Sequence, residues 1–163
     1  MTSGIELLLR HNAWANLVLV DACAQLTAEQ LSTAAEGVYG SVPDTLHHIV
    51  GNEAWYLTLY GVQTEGMPVR GERFAGFEPL RALAERTGPA LIEQARALDP
   101  ERRLRGEMNG RAYDMPAAVP LAQAVNHGTD HRSQVASILT SLGIAPPAID
   151  VWTFAETTGT LWA

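Results

Sequence analysis

The sequence predicts an all-α protein: a four-helix bundle whose long helices run up, down, down and up, with a small β-hairpin before the last helix. Three observations predict this fold. Apolar residues recur at helical spacing in four long segments, residues 61–76 form a long connection between the second and third segments, and one short segment is typical of a hairpin. Because the length of 163 residues suits one hydrophobic core, we expect a single domain over residues 1–163.

The first long helix begins with a capping pattern, in which Ser3 is followed three residues later by Glu6. The apolar residues at helical spacing are Ile5, Leu8, Leu9, Leu19 and Leu26. We expect this helix to end near Cys23. A second capping pattern at residues 27–30 predicts a short helical turn, and the glycines of residues 37–40 indicate a loop.

The second long helix is predicted over residues 42–60, because Ser41 and Asp44 form an N-terminal capping pattern and Gly61 is typical of a helix C-terminus. Its apolar and aromatic residues occupy more than one face. They include Leu46, Ile49, Trp55, Leu57, Leu59 and Tyr60. The core of one bundle needs fewer apolar residues than this helix carries. The excess predicts a homodimer whose interface would bury the additional apolar residues.

The third long helix is predicted over residues 77–98, with a kink or break at Gly88 and Pro89. Its apolar positions are Leu80, Leu83, Ala84, Leu91, Ala95 and Leu98. Because this helix follows the long connection, it can run parallel to the second helix. This parallel pair distinguishes the predicted bundle from one whose helices simply alternate.

A hairpin is predicted over residues 104–115, because Asn109 and Gly110 suit a type I′ turn. The fourth long helix begins between residues 116 and 120 and continues to about Gly143. Three aromatic residues follow it and are expected to pack on the bundle. They are Trp152, Phe154 and Trp162.

Composition excludes several classes of protein. A formal charge of −7 repels the phosphates that supply most nucleic-acid affinity, so we expect no nucleic-acid partner. No apolar segment is long enough to span a bilayer, and the start of the chain lacks a secretory pattern, which predicts no membrane partner. The single cysteine, Cys23, cannot form an internal disulfide and is expected to be buried; we therefore predict a cytoplasmic location.

The residues that could carry chemistry are histidines. His127 and His131 are four residues apart on the fourth helix, which places both imidazoles on one face. They share a stripe with apolar residues and point toward the bundle interior, where imidazoles need partners. The residues alone allow two interpretations: hydrogen-bonded core histidines, or two ligands of a metal ion whose third ligand is His47 or His48.

Several stretches resemble the DinB/YfiT-like superfamily, a group of small bacterial four-helix-bundle proteins with a three-histidine metal site. The stretches are residues 12–16 (NAWAN), 45–49 (TLHHI), 126–134 (NHGTDHRSQ) and 142–147 (LGIAPP). The resemblance implies that the metal ligands are His48, His127 and His131. His47 is then a non-ligand, because neighbouring side chains on a helix diverge by about 100°.

The resemblance also implies a function and a cofactor. Three imidazoles leave an open coordination position, as in catalytic metal sites, and they suit a divalent transition metal, zinc or nickel foremost. Characterised relatives imply a thiol-dependent S-transferase that joins bacillithiol, mycothiol or glutathione to a small electrophile. Four alternatives stay open: a non-catalytic metal-binding protein, a stress-associated protein, a thiol-dependent isomerase and a metal-dependent hydrolase. The sequence assigns no catalytic residue and no cosubstrate-binding residue.

Other polar residues have less specific patterns. Asn52 and Gln123 lie four residues from predicted ligands, so each could support the site or be solvated. Asp130 and Arg132 flank His131 and are predicted to form a surface pair. Glu53 lies well round the helix from His48 and is expected to lie away from the site.

Overall fold

The computed structural model describes residues 2–68 and 72–160. Its elements are α1 (Gly4–Cys23), α2 (Ala28–Leu31), α3 (Val42–Thr58), α4 (Phe77–Arg96), β1 (Arg103–Met108), β2 (Arg111–Pro116), α5 (Ala118–Ser141) and α6 (Val151–Thr157). The predicted long helices correspond to α1, α3, α4 and α5. Helix α6 was not predicted; its N-cap is Asp150, whose carboxylate accepts from the amides of Trp152 and Thr153. Of the three aromatic residues expected to pack on the bundle, Phe154 is buried, Trp152 is 74% exposed, and Trp162 lies outside the described residues.

Contacts between side chains establish the directions of the long helices. Helix α1 is antiparallel to α4, because Glu6 pairs with Arg96 at one end and Asp21 pairs with Arg81 at the other. Helix α5 is antiparallel to α3, since the Tyr60 hydroxyl just after α3 donates to the carbonyl of Ala117 just before α5. Helices α1 and α3 each pack against both α4 and α5. One apolar cluster joins the ends of α1 and α5 to the beginnings of α3 and α4, so α3 and α4 run parallel and the predicted order of up, down, down and up is confirmed.

The hairpin is also confirmed. Strands β1 and β2 are antiparallel, with Arg103 opposite Pro116 and Met108 opposite Arg111. Asn109 and Gly110 both have positive φ, 53° and 74°, as the predicted turn requires. The buried side chain of Leu104 anchors the hairpin to the helices, which a two-stranded sheet needs for stability.

Helices α1 and α4 approach closely at Gly88. A Cβ atom at this position would lie 2.6 Å from Cβ of Ala13. Pro89 follows inside α4, which continues without a break from residue 77 to residue 96. The absence of a side chain at Gly88 therefore allows the two helices to pack at this separation.

We expect Gly88→Ala to lower the free energy of unfolding by about 1–3 kcal/mol, because the new methyl group overpacks the contact with Ala13. Adding Ala13→Gly should restore most of the loss. Urea unfolding of the single and double variants measures both effects. Gly4→Ala is the control, since nothing lies within 4 Å of the Cβ position there. Equal losses in the single and double variants would contradict this account.

A layer of polar side chains crosses the centre of the bundle. The polar layer consists of Asn12, Asn16, Glu53, Thr87 and Arg132, all buried. On one side lies an apolar cluster that includes Leu19, Leu46 and Ile138. On the other side lies a second cluster that includes Leu9, Leu57 and Leu121. All four long helices contribute to the layer, which divides the core into two apolar parts.

Hydrogen bonds within the polar layer connect a buried carboxylate to a buried guanidinium. Arg132 donates from one terminal nitrogen to the amide oxygens of Asn12 and Asn16, at 2.6 and 2.7 Å. The amide nitrogens of the same asparagines donate to Oε1 of Glu53, at 2.6 and 2.7 Å. The hydroxyl of Thr87 donates to Oε2 of Glu53 at 2.7 Å. The two charges are therefore bridged by asparagine amides.

The predicted surface pair of Asp130 and Arg132 is wrong. Arg132 is only 3% exposed, because its side chain folds back along α5 toward α1. Gly128 makes room for this path, since a Cβ there would lie 2.7 Å from a terminal nitrogen of Arg132. Burial raises the pKa of the Glu53 carboxyl and lowers the pKa of Arg132 to about 10.

The apolar residues of α3 and the turn after it are largely covered by the chain itself. Leu46, Ile49 and Leu57 are buried in the two apolar clusters. Trp55, Leu59 and Tyr60 are half-buried. The excess that predicted a homodimer is thus smaller than the sequence indicated, and the homodimer stays a prediction. Within residues 2–68 and 72–160, no helix has the length and apolar character needed to cross a bilayer.

Candidate metal centre

Three imidazoles from two antiparallel helices meet beside the polar layer. His48 on α3 faces His127 and His131 on α5, and one ring nitrogen from each lies within 4.8 Å of the others. The Nε2 atoms of His48 and His127 are 3.0 Å apart. In the described part of the chain, no other three His, Cys, Asp or Glu side chains come close enough to hold one ion. The two remaining histidines, His11 and His47, are outside this group.

The donor set fits a divalent transition metal. Four-coordinate zinc with nitrogen ligands at about 2.0–2.1 Å implies nitrogen separations of about 3.3 Å. The observed separations, from 3.0 Å to at most 4.8 Å, lie around this value, so small side-chain movements would complete such a site. Imidazole suits zinc, nickel, copper and iron, whereas magnesium and calcium prefer oxygen ligands.

Burial keeps the imidazoles of His48 and His127 in the form that binds metal. It lowers the pKa of His127 to about 4, with further lowering by the charges of His131 and His48. Burial likewise lowers the pKa of His48, with smaller contributions from His131 and His47. Neutral imidazole is the ligand form. His48 and His127 are therefore neutral at pH 7 without help from an ion.

The facing Nε2 atoms of His48 and His127 can share only one proton in the absence of an ion. At 3.0 Å, one nitrogen donates and the other accepts. An ion held by both nitrogens requires that this proton leave Nε2, and in a neutral imidazole it then lies on Nδ1 of the same ring.

Two amide side chains contact the Nδ1 atoms of His48 and His131. The amide nitrogen of Asn52 is 3.0 Å from Nδ1 of His48 and donates to the backbone carbonyl of His48 at 2.7 Å. Nδ1 of His131 is 3.0 Å from Oε1 of Gln134. The Asn52 amide therefore contacts the imidazole of His48 from the same helix, whereas Gln123 bonds instead to the hydroxyl of Tyr56.

Tyr39 covers the centre and was not singled out from the sequence. Its ring stacks on His48, with centroids 3.9 Å apart and planes 20° apart, and meets the ring of His131 edge-on at 5.4 Å. Tyr39 lies in the loop before α3, where no periodic pattern marks a residue as important. The available signal was an aromatic residue in a glycine-rich loop just before the helix that carries His48.

A groove of about 1270 Å³ borders the centre. It extends from Tyr39 and His48 along α3 to the hairpin. Aromatic and amide side chains are among those lining it: Tyr39, Asn52, Trp55, Asn109 and Tyr113. The groove is large enough for a small organic molecule, whose bound end would lie beside the imidazoles.

Comparisons with known proteins agree with the fold. The crystal structure of a DinB-like protein from Bacillus cereus ATCC 10987 matches with a TM-score of 0.65 and 20% identity, over 85% of this chain and 90% of that chain. At this identity the match shows a shared fold. No curated protein matches. The sequence matches the model of the DinB family over residues 1–161. The chain therefore belongs to the DinB family.

Proposed function

We propose that His48, His127 and His131 hold one divalent transition-metal ion, zinc or nickel foremost, and that the protein joins low-molecular-weight thiols to small electrophiles. The observation that carries the metal site is the convergence of three imidazole nitrogens within 4.8 Å of one another. Membership of the DinB family supports a metal-dependent activity. The thiol chemistry is implied by the resemblance to characterised relatives.

The reaction needs a thiolate, an electrophile and a fixed geometry between them. When bound, the metal ion would lower the pKa of a thiol and raise its thiolate fraction near pH 7. A free thiol of ordinary pKa is only about 3% thiolate at that pH, so complete ionisation raises the rate by at most about thirtyfold. Orientation of both substrates must therefore contribute more than ionisation does.

The groove supplies that orientation in this proposal. Trp55 and Tyr113 offer apolar walls that would exclude water, while Asn52 and Asn109 offer amide groups for hydrogen bonds. The thiol sulfur would form a bond to carbon of the electrophile, the bond to the leaving group would break, and the thiol proton would pass to solvent. The expected partner is a small molecule, with no nucleic acid and no membrane, and the expected assembly is a homodimer.

The proposal predicts one metal ion per chain in the purified wild type and its loss from His127→Ala and His131→Ala, because each removes one imidazole ligand. Elemental analysis measures the stoichiometry. His47→Ala is the matched control, since this neighbouring histidine lies outside the cluster and its loss should leave the metal content unchanged. Unchanged metal content in both α5 variants would contradict the site.

The same samples test the transferase. Conjugates of bacillithiol, mycothiol and glutathione with an activated electrophile are measured by mass spectrometry, after subtraction of the spontaneous reaction at the same pH. Wild type should exceed metal-stripped protein and His127→Ala. Turnover without any thiol would favour the hydrolase alternative. No excess with any thiol would favour a non-catalytic metal-binding protein.

A further inference from the structure

One side-chain oxygen connects the metal centre to the loop that covers it. Oε1 of Gln134 lies 3.0 Å from Nδ1 of His131 and accepts the backbone N–H of Tyr39 at 2.9 Å. An amide oxygen has two lone pairs and can accept both hydrogen bonds. Gln134 therefore joins a histidine of α5 to the loop before α3.

The orientation of the Gln134 amide is fixed by a third contact. Its amide nitrogen donates to a carboxylate oxygen of Asp130 at 3.3 Å. If the amide were turned over, its oxygen would face that carboxylate and its NH2 group would face the N–H of Tyr39. Both contacts would be unfavourable, so the oxygen stays toward His131 and Tyr39.

This orientation selects one tautomer of His131. A hydrogen bond from Nδ1 to the oxygen of Gln134 requires a proton on Nδ1. A neutral imidazole carries only one ring proton, so Nε2 of His131 is then bare and available as a ligand. Hydrogen bonds of this kind commonly orient the histidines that bind metals.

Tyr39 is placed by the same oxygen. Its ring lies 3.9 Å from the ring of His48 and edge-on to His131, yet 53% of the residue is exposed and borders the groove. The ring thus covers imidazoles of two helices on the side from which a groove ligand would approach. Loss of the backbone hydrogen bond to Gln134 would free this part of the loop.

We propose that Gln134 is a positioning residue that couples the ligand tautomer of His131 to the placement of Tyr39 over the metal centre, an inference that rests on the proposed metal binding. An ion bound at Nε2 of His131 keeps the proton on Nδ1, which then donates to Gln134. This hydrogen bond fixes the oxygen that accepts the backbone N–H of Tyr39. Because coupling between binding events is reciprocal, fastening Tyr39 must also strengthen metal binding.

The test combines zinc affinity with hydrogen exchange of the Tyr39 amide, measured with and without zinc in wild type, Gln134→Leu and Gln134→Glu with Asp130→Asn. In wild type, zinc should slow this exchange. Gln134→Leu removes the acceptor, so it should abolish the slowing and weaken zinc binding about 10- to 100-fold. Adding Asp130→Asn to Gln134→Glu avoids two facing carboxylates and keeps an acceptor oxygen, so this double variant should retain both properties. Gln94→Leu on α4 is the matched control and should behave as wild type.

The outcomes separate this inference from the proposed function. Zinc binding in wild type with unchanged affinity in Gln134→Leu would overturn the positioning role alone. Weaker binding in Gln134→Leu with the slowing of the Tyr39 amide intact would overturn the coupling. A wild type that binds no zinc and no nickel would refute the metal site itself, and the coupling with it. A residue that merely stabilised α5 would alter thermal stability without changing the response of Tyr39 to zinc.

Discussion

Replacing Arg132 by methionine is expected to lower the free energy of unfolding by about 3–5 kcal/mol. The substitution preserves much of the side-chain length but removes the guanidinium that the bridging asparagines contact, at 2.6 and 2.7 Å. Glu53 would be left as a buried carboxylate without a compensating charge, and the amide oxygens of Asn12 and Asn16 would lose their donor.

A second substitution should recover part of this loss. Glu53→Gln in the Arg132→Met background removes the stranded charge, so the double variant should be more stable than Arg132→Met alone. Urea unfolding of the two single variants and the double variant gives the coupling free energy. Arg86→Met, at an exposed arginine of α4, is the control and should change stability by less than about 0.5 kcal/mol. Additive losses would contradict the bridged pair.

The pH dependence of the single variant follows from the same carboxyl group. Burial raises the pKa of Glu53 above its ordinary value of 4.5, so the folded state binds this proton more tightly than the unfolded state. The contribution of this group to stability is therefore fully present below pH 4.5 and is lost as the pH rises through the folded pKa. Arg132→Met should regain stability relative to the double variant as the pH falls toward 4.5.

Zinc at about 1,000 times its dissociation constant is expected to raise the free energy of unfolding by about 4 kcal/mol, because the three imidazoles converge only in the folded chain. Thermal unfolding with and without zinc at pH 7 measures the effect. His127→Ala should abolish the gain, and His47→Ala should preserve it. Magnesium should give no such gain, since the cluster offers no oxygen ligand.

Acid should reverse this stabilisation at a pH set by burial. Because histidine ligands must be unprotonated, unperturbed imidazoles would release metal near their ordinary pKa of 6.5. Burial lowers the pKa of His127 to about 4, so protons begin to compete with the metal ion for this ligand at a lower pH. In the metal-free protein, the unfolded state binds the proton first, and stability falls as the pH decreases from 6.5 toward 4. Zinc release well above pH 6 would contradict this environment.

Local patterns in the sequence account for most of the fold. The four long helices follow from apolar residues at helical spacing, and the hairpin follows from Asn109 and Gly110. Helix α6 escaped prediction because seven residues are too few to show a period. Its Asp150 cap was the only local sign, and aspartate is favoured in turns as well as at helix N-caps.

The polar layer and the cover of the metal centre depend on contacts between distant residues. Arg132 carries a charge that normally indicates the surface, but asparagines of α1 accept its hydrogen bonds and Glu53 of α3 supplies an opposite charge within the core. The asparagines and Glu53 are far from Arg132 in the sequence, so the residues next to Arg132 do not indicate them. Tyr39 meets Gln134 across 95 positions of sequence, so no short pattern could relate them.

The sequence predicted the histidine cluster in part. Spacing along one helix was enough to place His127 and His131 on a common face. The third member depended on the rotation of α3 about its axis, which the residues alone left open between His47 and His48. The resemblance selected His48, and the structure brings His48 to the α5 pair.

The polar layer also affects how the sequence of this protein can change during evolution. Leu46 and Leu57 belong to apolar clusters on opposite sides of the layer, so substitutions near one should add to substitutions near the other with little interaction. Each half of the core can therefore accumulate changes separately. The five polar residues cannot, because each satisfies at least one other. Such a bundle can diverge widely in sequence while one interlocked group changes only through several simultaneous replacements.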